Sequence, residues 1–153
     1  MLCFSGEYDC KLDAKGRLVL PARLKAKLPE APAQVLVALR GFEPCVVLYP
    51  LPSWEKIAEK VLALNEFEEE YRLFQRSFLR GSTEIELDGQ SRLLLPKTLL
   101  NYAQLEADIV AVGVGNRIEL WNLKNYEQNL LQDAKVFSQK AQEILGNEAA
   151  KSL

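Results

Sequence analysis

Leu12-Asp13-Ala14-Lys15-Gly16-Arg17-Leu18-Val19-Leu20-Pro21 returns 75 residues later as Leu87-Asp88-Gly89-Gln90-Ser91-Arg92-Leu93-Leu94-Leu95-Pro96. Leu, Asp, Arg, Leu, Leu and Pro recur at matching places. The match continues downstream in order. Val35 to Leu39 aligns with Ile109 to Gly113, Val46 to Tyr49 with Ile118 to Trp121, and Trp54 with Tyr126. The offset falls from 75 to 72 along the way, as two small deletions in loops would produce. An ordered series of this kind marks an internal duplication, and that fixes how the rest of the chain is read.

Each copy has the same plan. A strand runs into the Asp-x-x-x-Arg turn, and a short apolar strand leaves it, Leu18 to Leu20 in one copy and Leu93 to Leu95 in the other. Proline follows at the expected first position of a short helix, which in the first copy covers Arg23 to Leu28. Two apolar runs separated by turn residues, Gly41 to Pro44 and Gly113 to Asn116, predict a hairpin in each copy. Longer helices close each copy. In the first, Ser53 is the expected N-cap, with Trp54, Ile57, Val61 and Leu64 as a stripe. Asn65 and Glu68 have capping-box spacing before a helix carrying Phe67, Tyr71, Phe74 and Phe78. In the second, one helix is expected from Asn122 to about Leu145, with Tyr126, Leu130, Phe137, Ala141 and Ile144 or Leu145 inward, and a frayed tail from Gly146. The expected modules are residues 1–80 and 81–146, followed by a tail at 147–153.

A half of about 75 residues built from short strands has a thin core and open strand edges. The other copy supplies the missing partner, so the expectation is one α+β unit with pseudo-twofold symmetry. The aromatic helix faces then serve as core, as packing between subunits, or as both.

Composition narrows the function. The 153 residues are 48% hydrophobic and 26% charged, as in globular proteins. No run of about 18 apolar residues predicts a membrane span, and the first residues do not read as a secretory signal. Cys3, Cys10 and Cys45 are odd in number and lack Cys-x-x-Cys spacing, which predicts reduced thiols in a cytosol and no zinc site. There is no histidine, so the commonest general base and metal ligand are both missing. Without a Gly-rich phosphate loop either, the expectation is no enzyme, no cofactor, no metal and no small-molecule substrate. The net charge of −2 runs against nucleic-acid binding, yet Lys15, Arg17, Arg23, Lys25 and Lys27 lie in a stretch, 14–28, that contains no acid. Charge segregated in this way can still meet phosphate.

Two readings of the Asp-x-x-x-Arg motifs stand side by side. In one, aspartate organises the turn and arginine merely pairs with it. In the other, an arginine repeated at a hairpin tip grips phosphate or reaches a guanine edge. Arg23, Lys25 and Lys27 could add phosphate contacts or simply be solvated. Arg72, Arg76 and Arg80 follow Glu68 and Glu69 at helical spacing and read as surface ion pairs.

Phe4-x-Gly6, Leu12-Asp13-x-Lys15-Gly16-Arg17-Leu18, Leu48-Tyr49-Pro50-Leu51-Pro52-x-Trp54, Gly81, Asp88-Gly89-x-x-Arg92-Leu93 and Glu119-Leu120-Trp121 together resemble the bacterial MraZ family. The resemblance implies tandem AbrB-like, swapped-hairpin β-barrel modules assembled into a ring-shaped homo-oligomer. It further implies a cytoplasmic, nucleoid-associated regulator that represses or controls the division and cell-wall gene cluster by binding double-stranded DNA at direct repeats of a G-rich promoter box. Its DNA-contacting motif falls on Lys15, Arg17 and Arg92, with Asp13, Gly16 and Asp88 as motif residues. Gln90 stands where the first copy has Lys15, and Ser91 where it has Gly16, so the second site is less basic and its turn strained if that position needs positive φ. An AbrB-type antitoxin or transition-state regulator and a ring-forming protein scaffold are the alternatives. The first usually has one module and a disordered tail, whereas the scaffold leaves the arginine tips dispensable.

Overall fold

The computed structural model describes residues 3–30 and 34–152, with side chains described as far as Gly146. In chain order it has β1 (Glu7–Lys11), β2 (Arg17–Val19), α1 (Ala22–Lys25), β3 (Val35–Arg40), β4 (Val46–Pro50), α2 (Leu51–Leu62), α3 (Glu69–Leu79), β5 (Thr83–Glu86), β6 (Arg92–Leu94), α4 (Lys97–Ala103), β7 (Asp108–Val114), β8 (Arg117–Asn122), α5 (Leu123–Gln128) and α6 (Ala134–Ser152). Two compact units result, Met1–Leu123 and Lys124–Leu153. All of these strands belong to the first.

The strands that approach the two Asp-x-x-x-Arg turns cross over. β1, from the first copy, pairs with β7 of the second, and β5, from the second copy, pairs with β3 of the first. The resulting six-stranded antiparallel sheet has the order β1-β7-β8-β4-β3-β5. β2 and β6 pair with each other in a separate two-stranded ribbon, joined to the first strand's end by a Leu12–Leu18 bridge. The fold is therefore a pair of swapped hairpins sharing one barrel-like core, in the α+β class expected.

The registers locate the pseudo-dyad. In the ribbon, Leu18 faces Leu93, its own repeat equivalent. In the sheet, Val47 faces Glu119, again an equivalent pair. The axis passes through both points. Register also corrects the alignment of the hairpins: Cys10 pairs with Ile109 as Ile85 pairs with Leu36. Ile109 thus corresponds to Leu36 rather than Val35, an offset of 73, so the repeat loses two residues before the hairpin and one within it. The period-2 alternation of strands decides this, because a slip of one residue would turn Ile109 and Ala111 away from the core.

Leu18, Leu93, Leu20, Leu95, Leu24 and Leu99 are fully buried, three equivalent pairs closing the core beneath the ribbon. Burial pushes the Cys10 thiol up to about 11 and the Cys45 thiol to about 12, leaving both as inert core residues.

The helix starts differ from expectation. Pro21 and Pro96 are N-caps rather than first helical residues. Pro50, not Ser53, caps α2, with Pro52 in its first turn. No capping box forms before α3. Glu68 is the N-cap without a side-chain bond, and Asn65 instead accepts from the Phe67 N–H at 3.1 Å. Phe67 is left 85% exposed, while Tyr49, Trp54, Phe74, Phe78 and Phe42 form a chain of ring contacts with centroids 5.7–6.3 Å apart. The single helix expected from Asn122 is two helices. Asp133 restarts the second, its carboxylate accepting from the Lys135 N–H at 2.8 Å. Helical backbone then continues through Gly146 to Ser152, past the expected fray. Tyr126 is buried, whereas Leu130, Phe137, Ile144 and Leu145, expected inward, are exposed.

Because Leu93 sits on the pseudo-dyad with no exposed surface, Leu93→Ala should lower the unfolding free energy by about 2–5 kcal/mol. Chemical denaturation of the variant and parent measures it.

Candidate nucleic-acid interface

Asp13 builds its turn with one carboxylate. Oδ1 accepts from the backbone N–H groups of Lys15 and Arg17, both at 2.9 Å, and Oδ2 accepts from Arg17 Nε at 2.7 Å. The Gly16 N–H donates to the Asp13 carbonyl at 3.0 Å, and the Asp13 N–H to the Arg17 carbonyl at 2.9 Å. Asp88 repeats the arrangement with Gln90 and Arg92, at 2.8 Å and 2.9 Å to Oδ1 and 2.8 Å from Arg92 Nε to Oδ2. In both turns the Arg backbone N–H is the strongest influence holding the aspartate below its usual range, with the guanidinium bond adding to it. The aspartates thus stay charged and aim the arginines.

The turns need a residue with positive φ. Gly16 has φ +83° and is buried, and a Cβ there would lie 3.2 Å from the Leu95 carbonyl oxygen. Ser91 occupies the equivalent place at φ +62°, so the strain foreseen for it is present. Lys25 from the other copy donates to its hydroxyl at 2.5 Å. The two turns are also tied across the axis. The Leu20 N–H donates to the Ser91 carbonyl at 3.0 Å, and the Leu95 N–H to the Gly16 carbonyl at 2.9 Å.

Sequence reasoning treated Arg17 and Arg92 as separate tips, but the ribbon joins them. Arg17 faces Leu94 and Val19 faces Arg92, while Leu18 and Leu93 point into the core. Arg17, Val19, Arg92 and Leu94 consequently share one outward face, with the two arginines on a diagonal of roughly 7–8 Å. Their side chains are 30% and 28% exposed and bonded to aspartate through Nε, which leaves the Nη edge for another partner. Lys15 and Gln90 stand exposed at the two tips. Arg23 is exposed on α1, and Lys25 is half-buried against the second turn. Lys97, just past β6 at the place equivalent to Ala22, is a further exposed cation missed in the sequence. The signal was available: residues 89–105 hold no acid, as residues 14–28 do not. Arg72 donates to the carbonyl of Glu66, in the loop before α3, at 3.0 Å, and among the described residues none of Arg72, Arg76 and Arg80 forms the expected ion pair with Glu68 or Glu69.

Among the described residues, no group of three or more Cys, Asp or Glu is placed to hold a metal ion, and no helix is long and apolar enough to cross a membrane.

The family model described as MraZ protein, putative antitoxin-like, matches residues 3–77 and again residues 78–148. The chain belongs to the MraZ family. Relatives named transcriptional regulator MraZ include one from Cytophaga hutchinsonii, 56% identical over 142 residues (93% of this chain and 94% of that one). Another, from Natranaerobius thermophilus, is 37% identical over 142 residues, covering 93% and 96% of the two chains. A third, from Christiangramia forsetii, is 36% identical over 149 residues, covering 97% and 96%. This MraZ chain is accordingly a transcriptional regulator, built of two tandem family domains.

Two outcomes test the turn. Gly16→Ala should cost about 1–2 kcal/mol in a denaturation experiment, because it places a Cβ in the left-handed region. The aspartates' folded pKa values are depressed, so their contribution is complete above the ordinary aspartate value near 3.9 and is lost as pH falls through the lower folded value. The melting-temperature gap between wild type and Asp13→Asn should therefore be open at neutral pH. It should start to close below about pH 4 and vanish under more acid conditions.

Proposed function

We propose that this regulator binds double-stranded DNA sequence-specifically through the β2–β6 ribbon. Lys15 and Arg17 are its main contacts, with Arg92 as the weaker second reader and Arg23 on phosphate. The observation carrying this reading is the convergence of both motif arginines on one outward face, each fixed by its own aspartate. A two-stranded ribbon fits the major groove, where arginine pairs with guanine O6 and N7. The flanking acid-free stretches supply lysines for phosphate.

The chain acts as a ring-shaped homo-oligomer on direct repeats in its own promoter, in the cytoplasm and on the nucleoid, repressing the division and cell-wall gene cluster. Assembly is supported by the large apolar side chains exposed on α2, α3, the loop between them and the first hairpin: Leu62, Leu73 and Phe74, with Phe42 at 84% and Phe67 at 85%. A ring also offsets the overall charge of −2, since each contact after the first is effectively intramolecular.

A mobility-shift titration on the promoter duplex tests the reading. Log affinity should fall with log salt by about 0.9 per phosphate neutralised. Arg17→Ala should cost about 1–3 kcal/mol per site and Arg92→Ala less, with the oligomer intact by light scattering. Salt-independent binding, or full binding by Arg17→Ala, would refute it.

A further inference from the structure

Val19 and Leu94 are 56% and 59% exposed, although the core directly beneath them is complete and the fold gains nothing by presenting them. They are repeat equivalents, and the ribbon register sets each beside an arginine: Leu94 opposite Arg17, and Val19 opposite Arg92. The outward face is thus a four-cornered pattern of cation and apolar group, related to itself by the pseudo-dyad. We infer that Val19 and Leu94 are specificity-determining residues that contact the 5-methyl groups of thymines in the major groove, each next to the guanine taken by its neighbouring arginine. The inference rests on the ribbon's reading as the duplex-binding face.

The chemistry of the face selects this occupant. The major groove offers guanine acceptors and the thymine methyl along one edge; the minor groove has no methyl group. Directly opposed side chains lie about 4.5–5.5 Å apart, and base pairs about 3.4 Å. An arginine and its apolar partner therefore span one to two base steps, placing each thymine within two base pairs of its guanine. A second copy of this chain suits the face poorly, because two such faces would gather four arginines whose own aspartates are already engaged.

The test uses the full-length protein and a duplex from its own promoter, with thymines replaced one at a time by uracil, which deletes only the methyl group. Wild type should bind about three- to fivefold more weakly at one or two such positions, the loss expected for one buried methyl group. Each position should lie within two base pairs of a guanine that is also required. Leu94→Ala should weaken binding to the thymine duplex by a similar factor and abolish the thymine–uracil contrast at its position, and Val19→Ala at the other.

Binding that is indifferent to every uracil, or contrasts that survive both substitutions, would overturn this inference while leaving the regulator reading in place. No binding to any duplex would overturn both. A change of oligomer mass in Val19→Ala or Leu94→Ala with the contrast intact would assign the face to subunit contact and overturn the inference too. The uracil arm uses unaltered protein, so it decides the matter even if a variant folds poorly.

Discussion

The interleaving of the two copies depends on the pairing of β2 with β6. A three-residue strand cannot stand alone, and here each copy's short strand is completed by its equivalent across the axis at Leu18 and Leu93. That single pairing obliges β1 and β5 to reach into the opposite hairpin, which interleaves the copies and buries one set of leucines for both. Each half keeps only one two-stranded hairpin of its own, β3–β4 in the first copy and β7–β8 in the second. The duplication is therefore a folding requirement before it is a functional device.

The same pairing leaves room for both the structural reading of the Asp-x-x-x-Arg motif and the proposed functional one. Aspartate does organise the turn and does hold the arginine. Yet the bond engages Nε, and the turn delivers the guanidinium to the ribbon's outer face. An arginine fixed in this way would lose little rotamer freedom on meeting a ligand, so the ion pair suits the side chain to the proposed recognition. The structural role and the proposed recognition are compatible in one arrangement.

Much of the fold was legible because the repeat is strong where the geometry is demanding. Asp, Arg, Leu and Pro recur at the turn and the ribbon, where few alternatives fit, and the hairpins follow from Gly41 and Gly115 between apolar runs. What stayed hidden depended on contacts between distant segments. The alignment of Val35 with Ile109 matched apolar residues by eye, but only the pairing of Cys10 with Ile109 shows which face each occupies. Ser53 and Asn65 look like caps, yet Pro50 starts its helix a turn earlier and Asn65 spends its carbonyl on Phe67. The stripe from Leu130 to Leu145 has helical spacing, and spacing alone does not say whether a partner covers it. At the site, each arginine was visible singly; that they share a face was not, because the pairing of β2 with β6 spans 75 residues.

Fusion of two half-modules in one chain also has a consequence for the kind of DNA sequence such a face would read. Two identical subunits impose a true twofold axis, and an operator that satisfies both is palindromic. Here each half has been free to diverge. Lys15 is matched by Gln90, Gly16 by Ser91, and Val19 by the longer Leu94. Ser91 keeps the left-handed turn at a strain Gly16 does not bear, and it uses Lys25 of the first copy to do so, which withdraws a cation from the surface on one side only. The face therefore has a direction: a strongly basic end and a weaker one. In the proposed ring, a reader with direction, repeated in one orientation, would meet sites that also repeat in one orientation. Under the proposed DNA reading, this asymmetry would suit direct repeats rather than palindromes.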